Sequence, residues 1–109
     1  MSAKLTKHAE LLRALAKLGP KERQALIKCL DDDQIHCICE CIYNTLKGKA
    51  ELTDNQKRSL SRHKTILRRM VKPHETIRKK KQILVQSGGA FLPFILGPLL
   101  GGILGSLFK

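Results

Sequence analysis

The last part of the chain, residues 88 to 109, most constrains what this sequence can fold into, because its apolar surface must be covered by protein or by lipid. From Ala90 to Phe108 there are nineteen residues without a charged, amide or histidine side chain. About 20 apolar residues in a helix suffice to cross the roughly 30 Å hydrocarbon core of a bilayer. Pro93 and Pro98 interrupt helical hydrogen bonding, and the glycines lower helicity. A straight membrane anchor is therefore not the expected use of this segment.

Glycines in this segment recur every four residues, a spacing that lets two helices approach closely in lipid. The pattern predicts a segment that disturbs membranes or associates with itself. Its candidate residues are Phe91, Leu92, Phe94, Ile95, Gly97, Gly101 and Gly105. The alternative is that the segment folds back into the core of a helical domain, which would cover its apolar surface without a membrane.

The charge of the chain is concentrated in one block. The 109 residues leave room for one small domain and the tail, with a formal net charge of +12. Residues 1 to 56 have nine basic and eight acidic side chains, whereas residues 57 to 81 have eleven basic and one acidic. A block of this density predicts an anionic partner, either nucleic acid or an anionic membrane face. The alternative is a solvated helical face without a partner.

Aromatic residues are almost absent from the basic block, which argues against stacking on single-stranded bases. Sequence-independent binding of double-stranded DNA through its phosphates is the better prediction. The candidate nucleic-acid-binding residues are Lys57, Arg58, Arg62, Lys64, Arg68, Arg69, Lys72, Arg78, Lys79, Lys80 and Lys81.

Apolar residues at helical spacing predict an all-α chain, since no useful strand alternation and no internal repeat occur. We expect helices over residues 5 to 18, 20 to 30, 32 to 46, 53 to 71 and 74 to 86. Pro20 suits a first helical position, and aspartates 31 to 33 and the pair Thr53 and Gln56 suit helix starts. Gly48 and the pair at 88 and 89 are predicted stops. The third helix should bury Ile35, Ile38, Ile42 and Leu46.

The cysteines invite a zinc interpretation, because thiolate and imidazole are usual zinc ligands. His36, Cys37, Cys39 and Cys41 follow closely, with Cys29 upstream. On a helix, however, Cys39 points about 200° away from Cys37, so the three thiols do not converge. We predict no metal site, free thiols, and cysteines that act as small buried hydrophobes. The four histidines are scattered and no catalytic set can be assembled, so we predict neither an enzyme nor a cofactor.

The junction from Gln82 to Pro93 resembles a known family. A basic arm, a Gly-Gly pair, an aliphatic-Leu-Pro step and a glycine- and proline-rich apolar tail are similar to the precursor of the adenovirus mu core peptide, called pX. Over most of the chain the resemblance is to the small basic pX-like proteins of Polinton (Maverick) elements and adintoviruses. Segments like 46 to 48, 52 to 53 and 57 to 69 follow a leucine-rich helical start in those proteins.

The resemblance implies a virion protein that binds packaged double-stranded DNA, with a tail that acts on membranes or on the capsid interior. It also implies processing at Gly88 and Gly89 by an adenovirus-type cysteine protease, although Gln86 stands where those sites have a large aliphatic residue. The expected location is the virion, and the host nucleus or cytoplasm during expression.

Together these patterns predict three segments: a helical bundle at 1–50, a basic helical arm at 51–87 and a hydrophobic membrane-active tail at 88–109. The leading hypothesis is a non-enzymatic virion core or minor capsid protein that binds double-stranded DNA. A tail-anchored or membrane-lytic protein, whose basic block lies against anionic lipid, is the alternative. A metal-dependent adaptor that uses the cysteines is a third, weaker hypothesis.

Overall fold

Amphipathic segments separated by caps, glycines and prolines form the helices of this protein. The computed structural model describes residues 7–47 and 52–101, with side chains as far as Gly97. This part of the chain contains seven α-helices and no β-strand, which confirms the all-α prediction. The helices are α1 (Ala9–Lys17), α2 (Pro20–Lys28), α3 (Asp32–Leu46), α4 (Asp54–Arg62), α5 (Lys64–Met70), α6 (Ile77–Ser87) and α7 (Leu92–Gly101).

Two helices begin at capping boxes, the one at Thr53 and Gln56 as predicted and the other at Asp31, where the sequence predicts an N-cap. At α3 the Asp31 carboxylate accepts a hydrogen bond from the Gln34 backbone N–H at 2.8 Å, and the Gln34 side chain accepts one from the Asp31 N–H at 2.9 Å. Thr53 and Gln56 make the same exchange at α4. Each box satisfies two N–H groups that a helix start leaves without a partner. Pro20 opens α2, as predicted, and Gly48 lies outside the described residues.

The predicted helix over residues 53 to 71 is broken at His63. Its backbone N–H donates to the Leu60 carbonyl at 3.0 Å, a tight i to i−3 bond, and α5 begins at Lys64. The break lets the two halves take different neighbours, because α4 contacts α7 whereas α5 contacts α3 and α6. The His63 ring lies 6.0 Å from the Phe91 ring, between centroids, at the start of α7.

One hydrophobic core joins the described parts of all three predicted segments. Its buried side chains include Leu12 and Leu15 from α1, Ile38 from α3, Leu67 from α5, and Leu84 from α6. The radius of gyration is 12.7 Å, close to the about 13 Å of a globular chain of 100 residues. The basic segment therefore contributes one side of each of its helices to the core. The division of the chain into three segments, with boundaries at residues 50 and 87, stays a prediction.

The third helix buries most of its predicted stripe. Ile35, Ile38 and Ile42 are fully buried, whereas Leu46 is 47% exposed. Leu46 is the last residue of α3. The prediction is wrong at this one position because periodicity assigns a face but does not show how far the neighbouring helices reach.

The apolar helix α7 packs into the core. It contacts α1, α3 and α4, and its side chains Leu92, Ile95 and Leu96 are completely buried, as is Phe91 in the preceding turn. Pro93 occupies the second position of α7, where a missing N–H costs no helical hydrogen bond. For the described residues, this arrangement matches the alternative in which the apolar segment folds back into the core of the helical domain. None of the described helices combines the length and the apolar character needed to cross a bilayer.

Helices α2 and α6 hold each other's C-terminal ends. The Gln24 side-chain amide donates to the Val85 carbonyl at 3.1 Å, and Arg23 Nε donates to the Gly88 carbonyl at 3.4 Å. In the other direction, Lys81 Nζ donates to the Leu30 carbonyl at 2.6 Å. The Val85 carbonyl also accepts the Gly88 backbone N–H at 3.1 Å, and the Gly88 and Leu30 carbonyls lie just past the ends of their helices. The exchange fixes α6 against α2 where the chain turns toward α7.

That turn is made by two glycines in the left-handed region. Gly88 has φ +65° and ends α6 as predicted, and Gly89 has φ +67°. A Cβ at Gly88 would meet nothing within 4 Å, whereas one at Gly89 would lie 2.6 Å from Ile27 Cδ1 and 2.9 Å from Leu92 Cδ1. Glycine is thus favoured at position 89 for two reasons, its left-handed backbone conformation and the terminal methyl groups of Ile27 and Leu92 that a Cβ would meet.

Alanine substitutions separate these two requirements. We expect Gly88→Ala to cost about 1–2 kcal/mol of unfolding free energy, the penalty of a left-handed L-residue. Gly89→Ala should cost more, about 2–4 kcal/mol, because overpacking adds to the same strain. The control is Gly97→Ala, at an exposed helical position with nothing near its Cβ, which should be neutral or slightly stabilising. Urea denaturation measures all three, and equal losses for the two turn variants would contradict the packing argument.

The beginnings of α1 and α3 are joined by an ionic cluster. Asp33 Oδ2 lies 2.7 Å from His8 Nε2 and 3.3 Å from Lys7 Nζ. The hydrogen bond with His8 is the main cause that lowers the pKa of Asp33, and the hydrogen bond and charge of Lys7 add to it. A lowered pKa in the folded state means that the ionised carboxylate stabilises the fold.

The contribution of Asp33 should disappear in acid. It is fully present above the ordinary carboxyl pKa of 3.8 and is lost as the pH falls through the lower folded-state pKa. Asp33→Asn should therefore be less stable than the wild type near neutrality, and the difference should shrink on acidification. Asp32→Asn, at the exposed neighbouring position of the same helix start, is the control for the helix dipole. Urea denaturation over a pH series tests this, and a pH-independent difference would contradict it.

Candidate nucleic-acid interface

The candidate interface is formed by the outward sides of α4, α5 and α6. In each helix the buried side is set by a few apolar residues, Leu60 in α4, Leu67 and Met70 in α5, and Ile83 and Leu84 in α6. Most of the basic residues of these helices lie at other positions and face solvent. Helices α5 and α6 are in contact, so their basic residues lie on neighbouring elements of the surface.

Most of the predicted phosphate-binding residues are exposed. The exposed members are Lys57, Arg58, Arg62, Lys64, Arg68, Arg69, Lys72, Arg78 and Lys79. Within the described chain, the one ion pair of this set joins Arg69 to Glu75 at 3.3 Å. Glu75 is also the one acidic residue between positions 57 and 81. The surface is therefore strongly positive and has few internal counter-charges.

Lys80 and Lys81 differ from the other members of the predicted set. Lys80 is only 8% exposed and lies near Cys39 of α3, and Lys81 is half-buried and donates to the Leu30 carbonyl. Lys80 stands three positions before Ile83 and four before Leu84, which places it on the packed side of α6, and Lys81 stands three before Leu84, at the edge of that side. Helical spacing is a signal that separates Lys80 from Arg78, but it does not separate Lys81 from Lys79, which is four positions before Ile83 and is nevertheless exposed. Lys80 and Lys81 are less available to a phosphate than their exposed neighbours.

Arg23 is a buried cation whose burial was not predicted from the sequence. Only 6% of it is exposed, and its guanidinium reaches the Gly88 carbonyl. It stands four and seven positions before Ile27 and Leu30, so the same periodicity puts it on the buried side of α2. Arg23 acts as a structural cap and not as part of the cationic surface.

The candidate membrane residues divide into buried and exposed members. Phe91, Leu92 and Ile95 are fully buried, whereas Phe94 is 37% exposed and Gly97 is exposed. The Gly101 backbone ends α7, and Gly105 lies outside the described residues. Of the glycines at four-residue spacing, Gly97 thus lies on the outer side of α7 with Phe94, whereas Phe91, Leu92 and Ile95 point into the core.

The glycines of the predicted processing site form the turn between α6 and α7. Gly89 is buried, its N–H donates to the Ser87 hydroxyl at 3.3 Å, and Ile27 and Leu92 surround it. Cleavage after Gly89 stays a prediction. The packing gives these two glycines a structural reason to be present that is independent of any protease.

Three of the four cysteines are buried in α3. Cys37, Cys39 and Cys41 are at most 8% exposed, as expected of small hydrophobes, whereas Cys29 at the end of α2 is exposed. A hydrogen bond with the Cys37 thiol, together with burial, raises the pKa of Cys41, and burial raises that of Cys39, which the nearby Lys80 charge opposes. The thiolate forms that bind metals are therefore disfavoured. Among the described residues, no group of three or more His, Cys, Asp or Glu side chains is placed to hold a metal ion.

The cysteines should differ sharply in reactivity. We expect one thiol of the native protein, Cys29, to react quickly with Ellman's reagent at mildly alkaline pH, since the other three are buried. All four should react in denaturant. Cys29→Ser should abolish the fast phase, and Cys39→Ser, as the matched control, should leave it intact. Fast reaction of more than one thiol in the folded wild type would contradict the burial of α3.

In comparisons with known proteins, no family model, no curated protein and no solved structure matches this chain.

Proposed function

We propose that this protein binds double-stranded DNA without sequence preference, as a non-enzymatic core or minor capsid protein of a virion. The observation that carries the DNA-binding proposal is the exposed cationic surface of residues 57 to 79, where a single carboxylate, Glu75, lies within the block. A surface of this kind lowers its electrostatic free energy when it meets a dense array of phosphates.

The number of exposed cations sets an upper bound on the salt dependence. Nine exposed basic residues, each with one phosphate, would give a slope of log affinity against log salt of at most about −8, because each B-DNA contact contributes about 0.9. A globular domain presents only part of its surface to a straight duplex, so a smaller slope is expected. Affinity should in any case fall steeply with salt.

The assignment to a virion rests on the resemblance of the junction and tail to pX-like proteins. The residues that support it are the basic segment, Gly88 and Gly89, and the following Ala-Phe-Leu-Pro. Packaged DNA and the viral protease belong to the same proposal. The location in the virion, and in the host nucleus or cytoplasm during expression, follows from it.

We prefer DNA to an anionic membrane as the partner because of the position of α7. A membrane-lytic or tail-anchored protein uses its apolar segment in lipid, but Phe91, Leu92 and Ile95 are already covered by α1, α3 and α4. Their transfer to lipid would require α7 to leave the core, at the cost of the contacts that it makes there. The cationic surface, in contrast, is available without any rearrangement.

A double substitution on the exposed surface tests the proposal. Arg78→Gln with Lys79→Gln should weaken binding to unrelated duplex sequences alike and reduce the salt slope by up to about 1.8. Fluorescence anisotropy of labelled duplexes across a potassium chloride series gives both quantities. Anionic vesicles in the same buffers measure the membrane alternative, and we expect the wild type to bind the duplexes more tightly.

The matched control is Lys21→Gln with Lys28→Gln, which removes the same charge from exposed positions of α2 outside the block. This variant should keep the wild-type slope. If both double variants lost the same slope, net charge and not the surface of α4 to α6 would drive binding. An unchanged slope in the Arg78 and Lys79 variant would exclude those residues as phosphate contacts.

A further inference from the structure

A small apolar cleft lies where the end of α3 meets α4 and α5. Its volume is about 230 Å³, and it is lined by four leucines, two lysines and two hydroxyl residues: Leu46, Leu52, Leu60, Leu67, Lys57, Lys64, Thr45 and Ser61. The Thr45 hydroxyl donates to the Cys41 carbonyl at 3.0 Å and is thereby satisfied within its own helix. The cleft therefore presents mainly hydrocarbon, and none of the described residues that line it is a carboxylate.

The leucine at the mouth of this cleft is unusually open. Leu46 is 47% exposed, and Tyr43, one turn earlier in α3, is 49% exposed. These are the two most exposed large apolar side chains of the described part of the protein. Lys47 Nζ lies 5.3 Å from the centroid of the Tyr43 ring, which adds a further positive charge beside the mouth. An apolar opening surrounded by cations favours a partner that is both apolar and acidic.

The size of the cleft argues for a side chain of a protein partner and not for a free small molecule. Sites for small ligands usually have volumes of about 300–1,000 Å³, whereas this cleft has about 230 Å³. That space suits one large apolar side chain, the kind of anchor around which protein interfaces form. Lys57 of α4 and Lys64 of α5 both line the cleft, so they are placed to pair with carboxylates that flank such an anchor.

We propose that this cleft binds an acidic amphipathic helix of a partner protein. One large apolar side chain of that helix enters between Leu46, Leu52 and Leu60, and its carboxylates pair with Lys57 and Lys64. A helix can present an apolar anchor and flanking acids on one side at i, i+3, i+4 and i+7.

This proposal goes beyond DNA binding and does not rest on it. Lys57 and Lys64 also belong to the cationic surface, but Leu46 does not. The acidic helix and a duplex should therefore compete for two lysines, while Arg78 and Lys79 remain available to DNA. A variant at Leu46 separates the two activities.

The test uses the full chain and a designed probe. The probe is a fluorescein-labelled amphipathic helical peptide with Phe and Leu on one face and Glu on both flanks of that face. Two control peptides replace every Glu with Gln, or every Phe and Leu with Ser. Anisotropy should show that the probe binds and that neither control peptide does. In NMR spectra of the protein, addition of the probe should change the amide chemical shifts around residues 45 to 47 and 57 to 67.

Three variants locate the site. Leu46→Ser, and Lys57→Glu with Lys64→Glu, should each weaken probe binding by roughly ten-fold. Lys72→Glu with Lys79→Glu makes the same charge change at exposed positions outside the cleft and should weaken binding by no more than about two-fold. Duplex affinity should be unchanged in the Leu46 variant. Thermal melts confirm that each variant is folded, which is expected because all these residues are exposed.

Several results would overturn the proposal. Equal weakening by the two double variants would show general attraction between charges, and binding of the Ser peptide would remove the role of the cleft. No probe binding to the wild type, or no effect of Leu46→Ser, would also refute it. If sedimentation showed a dimer that Leu46→Ser dissociates, a second copy of the chain would be the occupant. If decanoate bound as tightly as the probe, the cleft would be a site for small anionic amphiphiles.

Discussion

The left-handed turn at Gly88 and Gly89 is the constraint on which the rest of this structure depends. It ends α6 and directs the most apolar helix, α7, into a space between α1, α3 and α4. Arg23 stabilises the turn through the Gly88 carbonyl, and Ile27 packs directly against Gly89. Without this turn, four fully buried side chains of α7 and its preceding turn would lose their place. The core of the described chain is therefore assembled from both ends of the sequence.

Because α7 fills the core, the basic helices can be short and narrow in their apolar stripes. The α4 helix buries Leu60 alone, and α5 buries Leu67 and Met70. Isolated helices of seven to nine residues are not stable in water, so packing against α3, α6 and α7 must hold them. The remaining positions are free to be Lys or Arg. A strongly cationic surface thus coexists with a compact core. An extended basic arm, in contrast, would need no such core.

The sequence predicts the elements of this fold better than their arrangement. Helix starts were predictable because Asp31, Gln34, Thr53 and Gln56 satisfy backbone groups locally. The break at His63 was not, because it arises from the different neighbours of α4 and α5. Composition alone could not decide whether the apolar tail enters lipid or protein, since both cover the same surface. That choice depends on whether α1, α3 and α4 leave a space of the right shape.

The candidate interface was predictable in composition and less so in detail. Charge density identified the block of residues 57 to 81, but density does not show which side of a helix a lysine occupies. Lys80 and Arg23 lie on packed sides, as their spacing from Ile83 and Ile27 indicates. The cleft beside Leu46 has no local signature, because its walls come from separate helices.

The packing of Gly89 also has a kinetic consequence. A protease binds its substrate as an extended strand, and Gly89 is instead buried between Ile27 and Leu92. Any cleavage at this bond must wait for local opening of the turn, so its rate depends on how often the turn opens. Opening would at the same time uncover Phe91 and Leu92. A single opening of the turn would consequently both make the chain cleavable by a protease at Gly89 and expose the start of the apolar helix.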